Sequence, residues 1–269
     1  YKIQNYSMSL EEFKVIFWWE WIHRFLGRLI GISFIIPLFY FSFKVGLKKL
    51  IILYIIFFLI CLQGFVGWYM VSSGLINRID VSHYRLCLHL LLAFFILSLV
   101  YWTYLKFKIA VSSNQKLNFF LPFTFIFLIF CQISIGAFVS GMDAGKIYNS
   151  WPLMGPSYFP DDRIFMNLFS LQVFNDPSLV QFIHRNMAYI ILFFYIHLLY
   201  KVYTNKLSTF YSSIKLIGAL LILQILLGIF TLLYDAQIIL SSMHQISSIF
   251  LVTSSIYFLY LNSKSNLQP

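Results

Sequence analysis

Long apolar segments dominate the chain, and the polar residues are gathered into short stretches between them. A helix that crosses a bilayer needs about 20 mostly apolar residues. Seven segments meet this length, at 15–40, 48–73, 82–105, 117–141, 178–203, 212–234 and 238–261. Because they use most of the 269 residues, the pattern predicts an all-α, polytopic membrane protein with seven transmembrane helices.

Composition and charge agree with a membrane protein and indicate its orientation. Hydrophobic residues make up 60% of the chain and charged residues 10%, which excludes a soluble globule. The net charge of +10 comes from lysines clustered at 44–49, 106–116, 201–215 and the C-terminal tail, where no acidic residue occurs. Cytoplasmic loops of membrane proteins carry such an excess of basic residues. We therefore expect lysine-rich loops in the cytoplasm of a bacterium with the chain in its inner membrane, a mitochondrial inner membrane as the alternative, and no nucleic-acid partner.

The chain contains two similar segments with a His-Arg pair, "WWEWIHRFLGRLIG" at 18–31 and "VQFIHRNMAYIIL" at 180–192. Forty residues after each histidine, a glutamine is followed four positions later by a glycine, at 63–67 and 224–228. Two coincidences of spacing predict a duplication. Both copies run in the same direction, so we expect a pseudo-two-fold axis along the membrane normal.

A third Gln-x-x-x-Gly motif, at 132–136, lies in a span without a counterpart in the first half. The simplest arrangement is two four-helix-bundle repeats. Residues 1–110 would form an N-terminal repeat whose first helix precedes Tyr1, and residues 111–269 would form the complete C-terminal repeat.

Four histidines lie at similar depth in the predicted spans. His23, His89, His184 and His244 are each roughly five to nine residues inside the same end of a helix, or about 7–14 Å deep. An ionisable side chain at that depth is costly unless it is paired or liganded. Two imidazoles on facing helices can ligate a haem iron. Hydrogen-bonded core histidines are the alternative, which four residues at one depth in a duplicated frame disfavour.

His83 competes with His89 for the role of ligand. Its spacing from Gln63 equals that between Gln224 and His244. However, the polar stretch before His83 indicates a longer connection, which would leave His83 at the membrane surface. We therefore favour His89.

Charged residues accompany these histidines at the same end of the spans. Arg24, Arg28, Arg85 and Arg185 are candidates for binding haem propionates, because arginine binds carboxylates with two hydrogen bonds. The alternative is that they extend to the lipid headgroups, most of all Arg85.

Glu20 has no charged equivalent in the second half. It precedes His23 by three residues and shares a helix face with it, whereas the uncharged Gln181 stands at the equivalent position. This asymmetry predicts that one half carries out chemistry and the other supports it. The alternative is a structural ion pair between Glu20 and Arg24 at i+4.

Seven motifs resemble those of the heme A synthase family, in order and over nearly the whole chain. They are "FWWEWIHRFLGRLIG" (17–31), "QGFVGWYMVSSGL" (63–75), "VSHYRLCLHL" (81–90), "GAFVSGMDAGKIYNSWPLMG" (136–155), "QFIHRNMAYI" (181–190), "QILLGIFTLL" (224–233) and "MHQ" (243–245). The resemblance is to the class without a cysteine pair in its outer loops, and all three cysteines here lie in predicted spans.

This resemblance implies a fold and an activity. Members have eight helices and oxidise the methyl group at ring position 8 of haem O to a formyl group, which gives haem A for cytochrome c oxidase. By resemblance, Glu20 is catalytic, His23 and His89 are axial ligands of the substrate haem, and His184 and His244 ligate a haem b cofactor. Membrane lipid, the haem O synthase and an unidentified electron donor are the implied partners. Monomer and homo-oligomer both stay open.

Two other functions use some of the same features. A dihaem b-type cytochrome, passing electrons between quinone and a partner, would need the four histidines but not Glu20. A transporter would also have buried ionisable residues and a duplication, but no matched set of histidines. The long outer loop at 142–178 either caps the haem sites or forms an aromatic belt at the membrane interface.

Overall fold

The computed structural model describes residues 8–74, 81–109, 115–170 and 172–264. Within these ranges the fold is helical, with one isolated β-bridge and no strand. The long helices are α1 (Leu10–Val45), α2 (Ile51–Gly74), α3 (His83–Lys108), α4 (Phe120–Gly141), α5 (Pro177–Thr204), α6 (Tyr211–Leu233) and α7 (Ile238–Lys264). All seven are long and apolar enough to cross a bilayer. The predicted all-α, multi-pass membrane protein is confirmed.

Helix α1 is longer than the predicted span, whereas the other six begin and end within three residues of theirs. It starts at Leu10 because Ser9 and Glu12 form a capping box: the Ser9 hydroxyl accepts from the Glu12 N–H at 3.3 Å, and the Glu12 carboxylate accepts from the Ser9 N–H at 2.8 Å. Its 36 residues extend over about 54 Å, compared with about 30 Å for the hydrocarbon core. Helix α1 is therefore longer than the hydrocarbon core is thick, and its additional N-terminal residues begin at the polar cap.

The chain divides into two compact units, residues 1–85 and 86–269. In the first unit α1 and α2 pack together and are joined by the 3-10 turn Leu47–Leu50. The rings of Phe34 and Phe57 stack between them with centroids 6.4 Å apart. The two repeats predicted at 1–110 and 111–269 stay a prediction, because compactness does not test a duplication.

The second unit contains a four-helix bundle. Helix α4 contacts α5, α5 contacts α6, α6 contacts α7, and α7 contacts α4, which closes the ring. Helices α5 and α7 therefore occupy diagonal corners. Large, fully buried side chains fill the bundle: Phe125, Leu198, Phe210, Ile214, Ile217 and Phe258. Helix α3 joins this core through Trp102, whose ring meets Tyr260 edge to face at 5.3 Å.

A buried asparagine ties the end of α7 to the chain before α4. The side chain of Asn262 accepts from the Leu117 N–H at 2.8 Å and donates to the Leu117 carbonyl at 3.2 Å. Both groups belong to a non-helical residue that is buried, so they have no water to bond to. Asn262 thus satisfies backbone groups that would otherwise destabilise the fold.

Replacing Asn262 should destabilise the bundle more than replacing its neighbour. In Asn262→Leu both Leu117 groups lose their partners, which should lower the free energy of unfolding by about 1–3 kcal/mol. Thermal unfolding in detergent measures the change. Ser263→Ala is the control, since it removes only a hydroxyl bond to the Tyr260 carbonyl within α7. Equal unfolding temperatures for the two variants would contradict this role.

Candidate haem-binding site

The helix bundle places two of the predicted ligands at diagonal corners. His184 follows the first residue of α5 by seven positions, and His244 follows the first residue of α7 by six. Both side chains are half-buried, and they lie within electrostatic range of each other. The bundle therefore brings His184 and His244 together near one end.

His184 is contacted from helix α4 by a glutamine and a glycine. The Gln132 amide nitrogen donates to the His184 carbonyl at 3.1 Å and lies 3.3 Å from Nε2 of the His184 ring. One turn further along α4, a Cβ atom added at Gly136 would lie 3.1 Å from Cε1 of the same ring. The absence of a side chain at Gly136 therefore makes room for the imidazole.

The same arrangement recurs between helices α6 and α7. The Gln224 amide nitrogen donates to the His244 carbonyl at 2.8 Å, and a Cβ atom added at Gly228 would lie 3.1 Å from Cε1 of His244. The Ser247 hydroxyl donates to the other end of the Gln224 amide, which fixes its orientation. Sequence reasoning used the Gln-x-x-x-Gly motif as a sign of duplication and missed its contacts. The signal was its spacing, which puts both residues on one helix face.

His184 and His244 fit a haem better than a bare metal ion. A metal held by side chains alone needs three or four converging ligands, and in the part of the chain that the structure describes no three His, Cys, Asp or Glu side chains converge. A porphyrin supplies four ligands itself, so two histidines suffice. Nδ1 of His184 and Nδ1 of His244 are both buried without a hydrogen-bond partner among the described residues. Each ring thus has a free nitrogen and a glycine beside it.

The neighbour of His184 holds the long loop, residues 142–176. The Arg185 guanidinium donates to the carbonyls of Tyr148 at 2.8 Å, Ser150 at 2.9 Å and Leu153 at 3.1 Å. Gln181, which is buried, donates to the Tyr148 carbonyl at 3.1 Å. Arg185 was predicted to bind a propionate, which stays a prediction. Its Nε has no partner among the described residues.

The contacts of Gln181 give a physical reason for its difference from Glu20. A carboxamide donates to the Tyr148 carbonyl, whereas an ionised carboxylate is an acceptor only and would repel it. A glutamate at this position would therefore lose the bond between Gln181 and the loop. The second half needs an uncharged donor here, whatever the role of Glu20 in the first half.

An acidic cluster orders the far part of the long loop. The Tyr148 hydroxyl donates to Asp161 at 2.6 Å and to Asp162 at 2.9 Å, and Asp162 also accepts from Ser178 on α5 at 2.9 Å. Burial, together with these two carboxylates, raises the pKa of Tyr148 above its ordinary value, so the hydroxyl stays a donor at neutral pH. Arg163 pairs with Asp176, the N-cap of α5, which raises the pKa of Arg163.

Exposed apolar side chains also belong to this loop, among them Ile164, Phe165 and Phe169. The loop was predicted either to cap the haem sites or to form an aromatic belt at the membrane interface. A different segment of the loop is consistent with each interpretation. Residues 148–153 fold back onto α5 near His184, and residues 164–169 present the apolar surface expected at a membrane interface.

The predicted residues of the first half lie on two helices, α1 and α3. Glu20, His23, Arg24 and Arg28 fall on one face of α1. Arg24 Nη1 lies 3.3 Å from the Glu20 carboxylate, which is the structural ion pair considered as the alternative role for Glu20. Both side chains are partly exposed.

His83, Arg85 and His89 belong to α3. His83 is its first residue, and His89 follows six positions later, the same offset that His244 has in α7. This register agrees with His89 as the ligand but does not test it. Arg85 stacks over the Tyr69 ring at 4.7 Å, a cation–π contact. His23 belongs to the first compact unit and His89 to the second.

Replacing Gln181 by Glu should loosen the long loop. The carboxylate would face the Tyr148 carbonyl, and the loss of about 1–3 kcal/mol should raise local hydrogen exchange around residues 145–155 roughly tenfold. Hydrogen–deuterium exchange with mass spectrometry measures this rate. Gln245→Glu, the same change at an exposed position of α7, is the control. Unchanged exchange in Gln181→Glu would show that the loop does not depend on this bond.

Comparison with known proteins identifies the family. A family described as cytochrome oxidase assembly protein matches residues 1–256. The heme A synthase of Pelagibacter ubique (strain HTCC1062) is 48% identical over 98% of this chain and 78% of its own length. The heme A synthases of Rickettsia bellii (strain RML369-C) and Wolbachia pipientis wMel are 44% and 39% identical, over 96% and 100% of this chain and 78% and 77% of their own lengths. Since the match covers most of the chain, this protein belongs to the cytochrome oxidase assembly protein family, as its resemblance to heme A synthases predicted.

Proposed function

We propose that this chain oxidises haem O to haem A in the membrane. Two successive hydroxylations of the methyl group at ring position 8, each adding one oxygen atom from an external oxidant, give a gem-diol, which loses water to leave a formyl group. The observation that carries this proposal is similarity to heme A synthases along nearly the whole chain, at up to 48% identity. It favours the enzyme over a dihaem cytochrome that only passes electrons.

The second half is proposed to hold haem b, with His184 and His244 as axial ligands. When bound, a haem with two histidine ligands supplies single-electron transfer. Support comes from the diagonal placement of the two helices and from the glycine beside each ring. Arg185 would bind a propionate through its Nε while its other N–H groups hold the long loop.

The first half is proposed to hold haem O, with His23 and His89 as axial ligands and Glu20 as the catalytic residue. The Glu20 carboxylate would accept a proton or stabilise positive charge that develops at the reacting carbon. Arg24 binds Oε2 of Glu20 and would hold the carboxylate in place. Arg24, Arg28 and Arg85 are the candidates for the propionates of this haem.

The chain is proposed to lie in a bacterial inner membrane with its lysine-rich turns in the cytoplasm. These lysine-rich stretches follow α1, α3 and α5, and alternating crossings of the membrane would put them on one side. Haem O is poorly soluble, and a direct transfer from the haem O synthase would keep it in the bilayer. An electron donor completes the set of partners.

The haem content of the purified protein tests the proposal. The full chain is produced with a source of haem O, and the haems are extracted with acid–acetone and identified by mass. We expect haem B together with haem O, its hydroxymethyl form or haem A. His244→Ala should lose most of the haem B. Haem B alone, at two per chain, would establish the dihaem cytochrome instead.

The role of Glu20 is tested by Glu20→Gln. The variant should keep its haems but make about 100-fold less haem A, because acid–base groups typically contribute at least this much, and haem O or the hydroxymethyl form should accumulate. Glu11→Gln is the matched control, since Glu11 forms an exposed ion pair with Lys14 on the same helix. Full haem A production by Glu20→Gln would leave only the ion pair with Arg24 as its role.

A further inference from the structure

Two glutamines make the same contact in two different helix pairs, and the proposed function does not use them. We infer that Gln132 and Gln224 are positioning residues for the haem b ligands. Each fixes a ligand helix at the carbonyl of the histidine itself, and Gly136 or Gly228 sets the space for the ring. This inference rests on the proposed haem b site.

The energetics of a bilayer explain why the amides make these contacts. A carboxamide inside a membrane helix is costly unless its donors and acceptors are bonded. Both glutamines donate to a carbonyl of a neighbouring helix, Gln132 at 3.1 Å and Gln224 at 2.8 Å. The carbonyl that each chooses is the one closest to a ligand side chain, so the bond restrains the Cα atom from which the imidazole extends.

The glycines restrain the rings by contact. At both Gly136 and Gly228 an added Cβ would lie 3.1 Å from Cε1 of the histidine, closer than ordinary van der Waals contact. Since glutamine and glycine are one turn apart, a single helix face holds both the backbone and the ring of the ligand residue. The repetition of this geometry for His184 and His244 argues against an accident of packing.

The amides of Gln132 and Gln224 differ in their number of hydrogen-bond partners. Ser247 bonds to the Gln224 amide oxygen, whereas the Gln132 amide oxygen has no partner among the described residues. The Gln132 nitrogen instead lies close to both the carbonyl and the ring of His184. We therefore expect changes at Gln132 to affect the His184 ring directly, and changes at Gln224 to act through helix α7.

The experiment compares matched variants of the full chain in nanodiscs. Gln132→Met and Gln224→Met keep the side-chain length without the amide. Gly136→Ala and Gly228→Ala displace the rings. Tyr195→Phe is the control, because it removes another bond between bundle helices, from the Tyr195 hydroxyl to the Ile214 carbonyl at 3.1 Å, away from both histidines.

The readouts are the electron paramagnetic resonance spectrum of the low-spin haem, its reduction potential and its rate of loss to an acceptor protein. We expect the glutamine and glycine variants to shift the spectrum and the potential and to bind haem about 10- to 100-fold more weakly, as residues that orient metal ligands do. Tyr195→Phe should match the wild type.

The outcomes separate this inference from the proposed function. A wild-type protein without a low-spin haem would overturn the proposed haem b site and the positioning role with it. A wild-type haem whose spectrum and affinity are unchanged in the glutamine and glycine variants would overturn the positioning role alone. Equal shifts in Tyr195→Phe would also overturn it, because general loosening of the bundle would then explain them.

Discussion

In a bilayer, a polar group within a helix must bond to another part of the protein, and the organisation of the second unit depends on this constraint. The amide nitrogens of Gln132 and Gln224 satisfy it by donating to backbone carbonyls on the adjacent helices. Asn262 satisfies it for Leu117 at the other end of the bundle. Polar contacts thus fix the helices against one another at both ends, and apolar side chains fill the space between.

The histidine pair gains its geometry from this arrangement. Each ligand candidate lies on a helix that is bonded to a different neighbour, His184 to α4 and His244 to α6. The closed ring of helices then sets the two imidazoles on opposite corners. A redox cofactor between them would be held by a frame that does not depend on the cofactor for its own hydrogen bonds.

Hydrophobic pattern predicted the helices well, because the length of a membrane span is set by the bilayer. It underestimated only the length of α1, because the polar residues Ser9 and Glu12 start this helix outside the apolar segment. Charge and depth singled out His184 and His244, which the structure brings together. The contacts of Gln132, Gln181 and Gln224 could not be predicted in the same way, since an uncharged amide carries no signal of which carbonyl it will meet.

The path of the long loop could also not be predicted from the sequence. Its turns are held by hydrogen bonds to backbone carbonyls, which any residue can provide, so no side chain in residues 148–153 marks the place where Arg185 binds. The roles proposed for residues of α1 and α3 come from the family resemblance, and the proposed haem O site in that half rests on it. The structure adds the ion pair of Glu20 and Arg24 and the stacking of Arg85 on Tyr69.

The adjacency of His184 and Arg185 links the membrane interior with its surface. Three carbonyls of the long loop are bonded to one guanidinium, and the next residue back carries the imidazole. Helix α5 cannot turn about its own axis without breaking those bonds. The orientation of the His184 imidazole is therefore coupled to the long loop, and a strain applied to the loop would be transmitted along one turn of α5 to that ring.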